Sequence, residues 1–272
     1  AGTHGKTTTT ALISKVVLDA GLDPTINVGG IVDEIGGNFY IGKGEELFVA
    51  EACEYTNSFL DFACDIEVIT NIEEDHLDFF KDLADIRKSF KKFVELLPDG
   101  GVLVINNKIE DIQYLIKDAK VNVITYGDDE SADYYYKNSS YDKKYYQHFD
   151  VYKDKKYVGT MRQRLIGKHN ALNFLAAYAV LDGMGIPFEI AKNSLEDFKG
   201  ARRRLELRGK LDGITFIDDY AHHPTEIKAS VSALKELDFN NMYLIFQPHT
   251  FSRTKALYED FVKELSNIEN VI

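Results

Sequence analysis

The sequence predicts an α/β fold: a P-loop-type, mostly parallel sheet flanked by helices, with a small antiparallel side sheet, followed by a partial Rossmann-like α/β domain. The first observation is a glycine-rich turn, AGTHGKTTTT, that runs directly into apolar residues at helical spacing. The second is an alternation of short apolar runs with helical segments, which is typical of parallel sheets covered on both faces. The third is a new alternation of the same kind after Gly200, where we expect a domain boundary.

In the first part of the chain, a helix is predicted from the opening turn to the stop signals Gly21 and Pro24. Residues 128–160 are rich in Tyr, Lys and Asp, and the alternation in HFDVYKDKKYVG predicts antiparallel hairpins. The same composition is found on surfaces that stack single-stranded nucleic acid, but the aspartates cancel the positive charge here, so a solvated hairpin is favoured. Further strands are predicted at 47–51, 66–70, 100–107 and 121–127, and further helices at 108–119 and 168–185.

In the second part, strands are predicted at 214–221 and 242–249, each followed by a helix, at 225–237 and 253–266. Residues 270–272 resemble the start of another strand. Two strands and a stub make a poor closed core, and the opening turn has no buried strand before it. We therefore expect that both ends of this chain are cut.

Composition excludes several classes of function. The chain has 272 residues, 44% of them hydrophobic, and a formal net charge of −12. This charge argues against a general nucleic-acid binder, and no apolar run approaches the ~20 residues of a membrane span. Cys53 and Cys64 form neither a metal pattern nor a disulfide framework, which favours a reducing compartment, the cytoplasm.

The opening turn is a candidate phosphate site. In the stretch 2–7, the glycines let backbone amides turn toward an anion at a helix N-terminus. Lys6 can reach the terminal phosphates, and Thr7 can bind magnesium. The alternative, an ordinary glycine turn before a helix, is disfavoured by this context. Gly2, Thr3, His4, Gly5, Lys6, Thr7 and Thr8 are therefore the predicted phosphate-binding residues.

A bound triphosphate needs a metal, and the metal needs carboxylates at the same sheet edge. Glu51 ends a predicted strand and is expected to hold magnesium beside Lys6. His76 follows the strand at 66–70 and is a second candidate ligand, although a lone histidine is more often a packed side chain. Glu74 and Asp75 have a simpler interpretation as first-turn residues that favour a helix dipole.

Seven segments, in order, resemble the Mur ligase family: GTHGKTTTT, EACEYTNSFL, TNIEEDHLDF, GKHNALN, RRRLE, DDYAHHPTEI and QPHTFSRT. The resemblance covers the whole chain. It implies a central ATP-binding domain over 1–200 and a truncated C-terminal domain over 201–272, without the N-terminal domain that binds the UDP-sugar. It also implies ATP and Mg²⁺ as cofactors.

The activity that this resemblance implies is an ATP-driven amide bond. A carboxylate is phosphorylated to an acyl phosphate, and an amine then attacks it. The segments DDYAHHPTE and QPH point to the branch that joins L-alanine to UDP-N-acetylmuramate. Two alternatives stay open: a recycling ligase that adds a whole peptide to the same sugar, and a nucleotide-binding module without ligase activity. Without the UDP-sugar domain, we expect this chain alone to be inactive.

The resemblance also assigns roles to individual residues. Lys6, Glu51, His76 and Arg204 would be catalytic, and Thr7, Glu51 and His76 would hold the metals. Asn170 and Asn173 would contact adenine, and Arg204 and Asp219 would face the nucleotide. The residues around the incoming amino acid would be Tyr220, His222, His249 and Arg253.

Other residues near these motifs have different expected roles. Asn170 has an alternative role as a helix N-cap, and Arg202 and Arg203 are expected to be solvated charges. Thr250 stands where some relatives have arginine, so Arg253 is expected to hold the alanine carboxylate with less help. We find no chemical role for Cys53. The segment FKGARRR is the predicted hinge between the two domains.

Overall fold

The computed structural model describes residues 1–44 and 46–272. The helices are α1 (Lys6–Asp19), α2 (Leu83–Val94), α3 (Ile112–Ile116), α4 (Lys168–Gly183), α5 (Phe188–Leu195), α6 (Pro224–Lys235), α7 (Phe251–Ala256) and α8 (Tyr258–Leu265). The strands of the first part are β1 (Thr25–Val32), β2 (Gly37–Tyr40), β3 (Phe48–Ala50), β4 (Ile66–Ile69), β5 (Val102–Asn106), β6 (Asn122–Gly127), β7 (Tyr134–Tyr141), β8 (Gln147–Lys153) and β9 (Lys156–Gln163). The strands of the second part are β10 (Glu206–Leu211), β11 (Ile214–Asp218), β12 (Tyr243–Leu244) and β13 (Asn270–Val271).

The main sheet has six strands in the order β4-β5-β6-β7-β8-β9. The pairs from β4 to β7 are parallel, and β7, β8 and β9 form an antiparallel meander. The predicted antiparallel hairpins are confirmed, but they extend the parallel sheet instead of forming a detached one. The Asp133 carboxylate explains the join, because it accepts hydrogen bonds from both the backbone amide and the hydroxyl of Thr125 at 2.7 Å and so aligns β7 beside β6.

A smaller sheet has the order β2-β1-β3, with β1 antiparallel to β2 and parallel to β3. The sequence analysis predicted β3 but missed β1 and β2. Two glycines interrupt the apolar pattern of β1, and a Cβ atom at Gly29 would lie 2.6 Å from Glu51 Oε2, so a larger residue there would displace the Glu51 carboxylate. Gly29 therefore weakens the apolar pattern by which β1 could have been predicted, and it also leaves room for the Glu51 carboxylate.

Helices α1 and α4 lie against each other in the main core. Both carry buried residues around most of their circumference, which is typical of a helix enclosed by other elements. A second apolar cluster forms between α2 and the strands β4 and β5. The helix α2, which the sequence analysis did not identify, begins at the N-cap Asp82, whose carboxylate accepts from the Asp85 amide at 2.8 Å.

The second part has its own small cluster around Ile227, Val231, Phe261 and Ile268. The predicted strand at 214–221 is β11, which pairs antiparallel with β10, a strand that the sequence analysis missed. The short β12 pairs in parallel with β13, which confirms a strand at the end of the chain. The helix predicted over 253–266 is divided at Leu257 into α7 and α8, because Leu257 has non-helical backbone angles.

The predicted hinge segment is packed at its start. Ala201 is buried in the main core, and the Arg202 amide donates to the Ile31 carbonyl at 2.8 Å. Positive φ angles follow at Arg203 (59°) and Leu205 (49°). The hinge and the domain boundary at Gly200 stay predictions. Because Arg202 is bonded to β1, we expect any rotation between the two parts of the chain to occur after Arg202.

Among the described residues, no helix is both long and apolar enough to cross a membrane.

Candidate functional site

The opening loop is fixed to the carboxyl end of β4. The Ala1 amine donates to the Val68 carbonyl at 2.8 Å, and the Thr70 amide donates to the Ala1 carbonyl at 3.1 Å. Asn71 holds the loop farther on, since its Oδ1 accepts from the His4 amide at 2.7 Å and its Nδ2 donates to the His4 carbonyl at 3.0 Å. Gly5 has a φ of 83° and immediately precedes α1. This is the geometry of a backbone anion cradle at a helix N-terminus.

Lys6 is held by oxygen atoms on every side. Its Nζ donates to the Gly2 carbonyl at 2.6 Å and to the Thr3 carbonyl at 3.2 Å. It also lies 3.0 Å from Glu54 Oε2. Glu54 is buried and was not among the predicted site residues, although its place three residues after Glu51 in EACE was a usable signal.

The predicted magnesium ligands Thr7 and Glu51 are in contact. The Thr7 hydroxyl donates to Glu51 Oε1 at 3.0 Å, and the Gly29 amide donates to Glu51 Oε2 at 2.7 Å. A hydroxyl and a carboxylate are the hard oxygen donors that Mg²⁺ prefers. This donor pair therefore fits a magnesium ion at the start of α1.

His76 lies with a different set of neighbours. Its Nε2 is 4.0 Å from Glu54 Oε1 and 3.7 Å from Asp75 Oδ2, and its ring stacks on Tyr55 with centroids 4.5 Å apart. The backbone of His76 has a φ of 54°. Within the described part of the chain, Glu54 connects His76 to Lys6, and no hydrogen bond or ion pair joins His76 to Glu51.

A cleft of about 720 Å³ opens beside the loop. It is lined by residues of both parts of the chain, including His4, Gly5, Asn170, Asn173, Arg204 and Asp219. Asn173 and Asn170 are buried in the first turns of α4, and Asn173 Nδ2 donates to Asn170 Oδ1 at 3.2 Å. The expected N-cap role of Asn170 is wrong, because the N-cap of α4 is Gly167 and the Asn170 amide group donates instead to the Ile166 carbonyl at 2.8 Å.

The residues of the second part that line the cleft are organised by Glu226 in α6. One Glu226 oxygen lies 3.1 Å from His4 Nδ1 and 3.9 Å from Arg204 Nη1. The other accepts from the His222 amide at 3.0 Å and from the amide of the N-cap His223 at 3.3 Å, and the bond from His223 belongs to the capping box that starts α6. Sequence analysis missed this role, because HPTE has the glutamate of a capping box but a histidine where the sequence pattern has Ser or Thr.

Asp219 lies in the same cleft but makes a different contact. Its carboxylate accepts a hydrogen bond from the Ser230 hydroxyl. Burial raises the pKa of Asp219, and the Ser230 bond and the nearby Arg204 charge only partly offset this. A carboxylate with a raised pKa in a cleft is a candidate functional group.

Four residues were predicted to surround the incoming amino acid, and only some of them contact one another. His222 Nδ1 donates to the Tyr220 carbonyl at 2.8 Å, and the His222 ring lies 5.1 Å from Tyr220 and 6.5 Å from His249. Thr250 hydrogen-bonds to His249 Nδ1 at 3.1 Å. Arg253 makes an ion pair with Asp75 of the first part at 3.1 Å, and within the described residues it has no side-chain hydrogen bond to Tyr220, His222 or His249.

A cluster of His4, Glu73 and His223 could in principle hold a metal. The hydrogen bonds argue for another role, because His223 Nε2 is 3.1 Å from the Glu74 carbonyl and its Nδ1 accepts from the Thr225 amide at 3.3 Å. Burial lowers the pKa of His4, but hydrogen bonds and charges of Glu226 and Glu73 outweigh it and raise the pKa to about 9. A protonated His4 therefore bridges carboxylates of the two parts.

Comparisons with known proteins agree with this geometry. Residues 1–181 match the Mur ligase middle domain, and residues 203–272 match the Mur ligase glutamate ligase domain. A protein of Lachnospira eligens named UDP-N-acetylmuramate--L-alanine ligase is 46% identical over 273 residues, which is 100% of this chain and 59% of that protein.

Solved structures give the same fold. A crystal structure of a UDP-N-acetylmuramate-alanine ligase from Thermotoga maritima has a TM-score of 0.83 at 30% identity, covering 99% of this chain and 59% of that one. A murein peptide ligase from Psychrobacter arcticus has a TM-score of 0.68 at 26% identity, covering 92% of this chain and 56% of that one. The predicted α/β fold class is confirmed. This chain spans about 59% of the length of its curated relatives, and it belongs to the Mur ligase family.

Proposed function

We propose that this chain supplies the ATP-binding core and part of the C-terminal unit of an ATP-dependent ligase that joins L-alanine to the carboxylate of UDP-N-acetylmuramate, in the synthesis of peptidoglycan precursors. The observation that carries the proposal is the shared cleft, in which the phosphate-type loop of the first part faces Arg204 and Asp219 of the second part. Such a site brings a nucleotide and an acceptor together when two units close.

The loop would bind the ATP phosphates. His4, Gly5 and Thr8, at the start of α1, line the cleft, and the Lys6 ammonium would exchange its present contacts with the Gly2 and Thr3 carbonyls for phosphate oxygens. Asn170 and Asn173 would pair with the adenine edge, because an amide group both donates and accepts. Arg204 would approach the phosphates from the second part.

Thr7 and Glu51 would hold Mg²⁺, and His76 with Glu54 would form a second cation-binding region. When bound, Mg²⁺ neutralises phosphate charge and orients the transferred group. The chain's residues position the reactants: a carboxylate oxygen of the sugar attacks the γ-phosphorus, the bond to the β-phosphate oxygen breaks, and ADP leaves. The amine of L-alanine then attacks the acyl carbon, and inorganic phosphate leaves with the original carboxylate oxygen.

The choice of L-alanine over a peptide is supported by the names of relatives. The relative from Lachnospira eligens is named for L-alanine at 46% identity, and the Thermotoga maritima structure is more similar than the peptide ligase by TM-score and by identity. A nucleotide-binding module without ligase activity would not need Arg253, because it would have no amino acid carboxylate to bind. We place the reaction in the cytoplasm, where ATP is available and thiols such as Cys53 stay reduced.

The test is phosphate release by the full-length protein with ATP, Mg²⁺ and UDP-N-acetylmuramate. L-alanine is added in one reaction and the muramyl tripeptide in another. Release stimulated by L-alanine supports the proposal. Stimulation only by the tripeptide assigns the recycling reaction, and no stimulation by either refutes ligase activity toward this sugar.

A further inference from the structure

We propose that Asp75 is a positioning residue that orients Arg253 for the carboxylate of the incoming amino acid and links that site to His76. The inference rests on the proposed function, because it concerns the amino acid of that reaction. Asp75 belongs to the first part of the chain and Arg253 to α7 of the second. The predicted first-turn role of Asp75 is wrong, because α2 begins only at Leu83.

The contact between the two side chains is side-on and enclosed. Arg253 Nε and Nη2 both donate to Asp75 Oδ1 at 3.1 Å, and Nη2 also lies 3.4 Å from Oδ2. The side chains are only 12% and 9% exposed. A guanidinium and a carboxylate at this distance form an ion pair. Both groups are therefore charged, in a setting where charge-assisted bonds are strong.

This geometry leaves one edge of the guanidinium for a ligand. The bonds to Asp75 use Nε and Nη2, and within the described residues Nη1 of Arg253 makes no hydrogen bond. Arginine presents five donors in a rigid fork. Fixing the Nε edge on Asp75 therefore directs the Nη1 edge, so that a second carboxylate can bind without a search over rotamers.

The helix that carries Arg253 depends on this anchor. None of the six residues of α7 is buried, so α7 itself contributes no residue to an apolar cluster, and its position depends on polar contacts and on its neighbour α8. Arg253 is its charged contact with the first part of the chain. Loss of the Asp75 charge should therefore release the guanidinium and the helix that carries it.

Asp75 also fixes the candidate metal ligand. Its Oδ1 accepts from the His76 amide at 2.7 Å, at a residue with a φ of 54°, and its Oδ2 lies 3.7 Å from His76 Nε2. Since Glu54 lies between His76 and Lys6, a series of polar side-chain contacts runs from the phosphate lysine to Arg253. In this series of contacts, Asp75 is the residue of the first part that contacts the second part, through Arg253.

The experiment uses the full-length protein with Asp75→Asn, which keeps the side-chain shape and removes the charge. We expect the KM for L-alanine to rise about tenfold or more, as for loss of about 1.4 kcal/mol of binding, and the KM for ATP, which Asp75 affects only through His76, to rise by a smaller factor. Arg253→Lys, which keeps the charge but loses the fork, should raise the same KM. The double variant should raise it no further than the larger single effect, since the two residues act as one unit.

The matched control is Asp61→Asn. Asp61 is an exposed carboxylate of the same part, and within the described residues it has no hydrogen bond or ion pair. It should leave both KM values unchanged. A second readout needs no catalysis: amide hydrogen exchange over 251–256 should become faster in Asp75→Asn and stay unchanged in Asp61→Asn.

The outcomes separate the two proposals. If the wild-type protein shows no release stimulated by L-alanine, the proposed function fails, and unchanged exchange over 251–256 would then also refute the Asp75 anchor. If the wild type is active and exchange rises while the KM for L-alanine is unchanged, Asp75 is only a structural bridge and the positioning role is wrong. An equal rise in the KM values for ATP and L-alanine would also overturn it.

Discussion

The ammonium of Lys6 lies 3.0 Å from Glu54 Oε2, and Glu54 is only 2% exposed. The lysine predicted to bind phosphate is thus held on a buried carboxylate and two loop carbonyls. A triphosphate in the loop would share or replace these partners. Removing the lysine would leave the carboxylate buried without its countercharge.

Lys6→Ala is expected to abolish ATP binding and to destabilise this chain by about 3 kcal/mol, because breaking a buried pair leaves an uncompensated charge. Adding Glu54→Gln to Lys6→Ala should recover about 2 kcal/mol, since the remaining buried group is then neutral. Urea unfolding and nucleotide titration measure the two effects. Additive destabilisation in the double variant would show that the pair is not coupled, and retained ATP affinity in either variant that lacks Lys6 would refute its phosphate role.

Gly5→Ala tests the shape of the loop. Gly5 has a φ of 83°, and a Cβ atom there would lie 2.5 Å from Asn173 Oδ1. Gly21 is a matched control, with a φ of 77° and no atom within 4 Å of the position that a Cβ atom would take. Gly21→Ala should cost about 1 kcal/mol from backbone strain alone.

Gly5→Ala should cost roughly 2 kcal/mol more than Gly21→Ala, because Asn173 must also move. It should lower nucleotide affinity as well, since Asn173 is the predicted adenine contact. The readouts are urea unfolding and nucleotide titration of both variants. Equal unfolding free energies would show that the close approach of Gly5 to Asn173 carries no energetic weight.

The bridge of His4 to Glu73 and Glu226 predicts a dependence of stability on pH. The pKa of His4 is raised from 6.5 to about 9 in the folded chain. Its stabilisation is therefore complete below pH 6.5 and is lost as the pH rises from 6.5 to 9. The pKa values of Glu73 and Glu226 are lowered, so their contribution is lost only in acid, below their usual value of 4.5.

The measurement is the free energy of unfolding of wild type minus that of His4→Gln, from pH 6 to pH 9.5. The difference should fall by on the order of 2 kcal/mol across this range. His148→Gln is the control, because His148 pairs with Asp142 in a more exposed setting on the meander. A difference that stays constant with pH would contradict a charged His4 bridge.

Much of the fold could be predicted because periodicity reports burial directly. The helix α1 and the strands β4, β5 and β6 were all found from apolar spacing. The strand β1 was missed because Gly29 and Gly30 break its pattern, and both glycines lie against residues far away in sequence, Gly29 against Glu51 and Gly30 against Thr7. The break at Leu257 was missed for a similar reason, since helical spacing continues through it.

The candidate site was predicted where a local motif carries the chemistry. Thr7 and Glu51 are in contact, as expected from a loop and a strand end, whereas Lys6 is paired with Glu54. Glu54, Glu226 and the role of Asp75 were missed, because each acts on a residue far away in sequence: Glu226 on His4, for example, across 222 positions. Contacts between the two parts of the chain leave no local pattern.

The central claim is that the protein activates a carboxylate with ATP before an amine attacks it. The most direct measurement uses UDP-N-acetylmuramate labelled with ¹⁸O in its carboxylate, with ATP, Mg²⁺, L-alanine and the full-length protein. An acyl phosphate intermediate predicts that one ¹⁸O atom from each carboxylate appears in inorganic phosphate by mass spectrometry, together with one amide product. Amide product with unlabelled phosphate would contradict the account, and so would phosphate release without any amide.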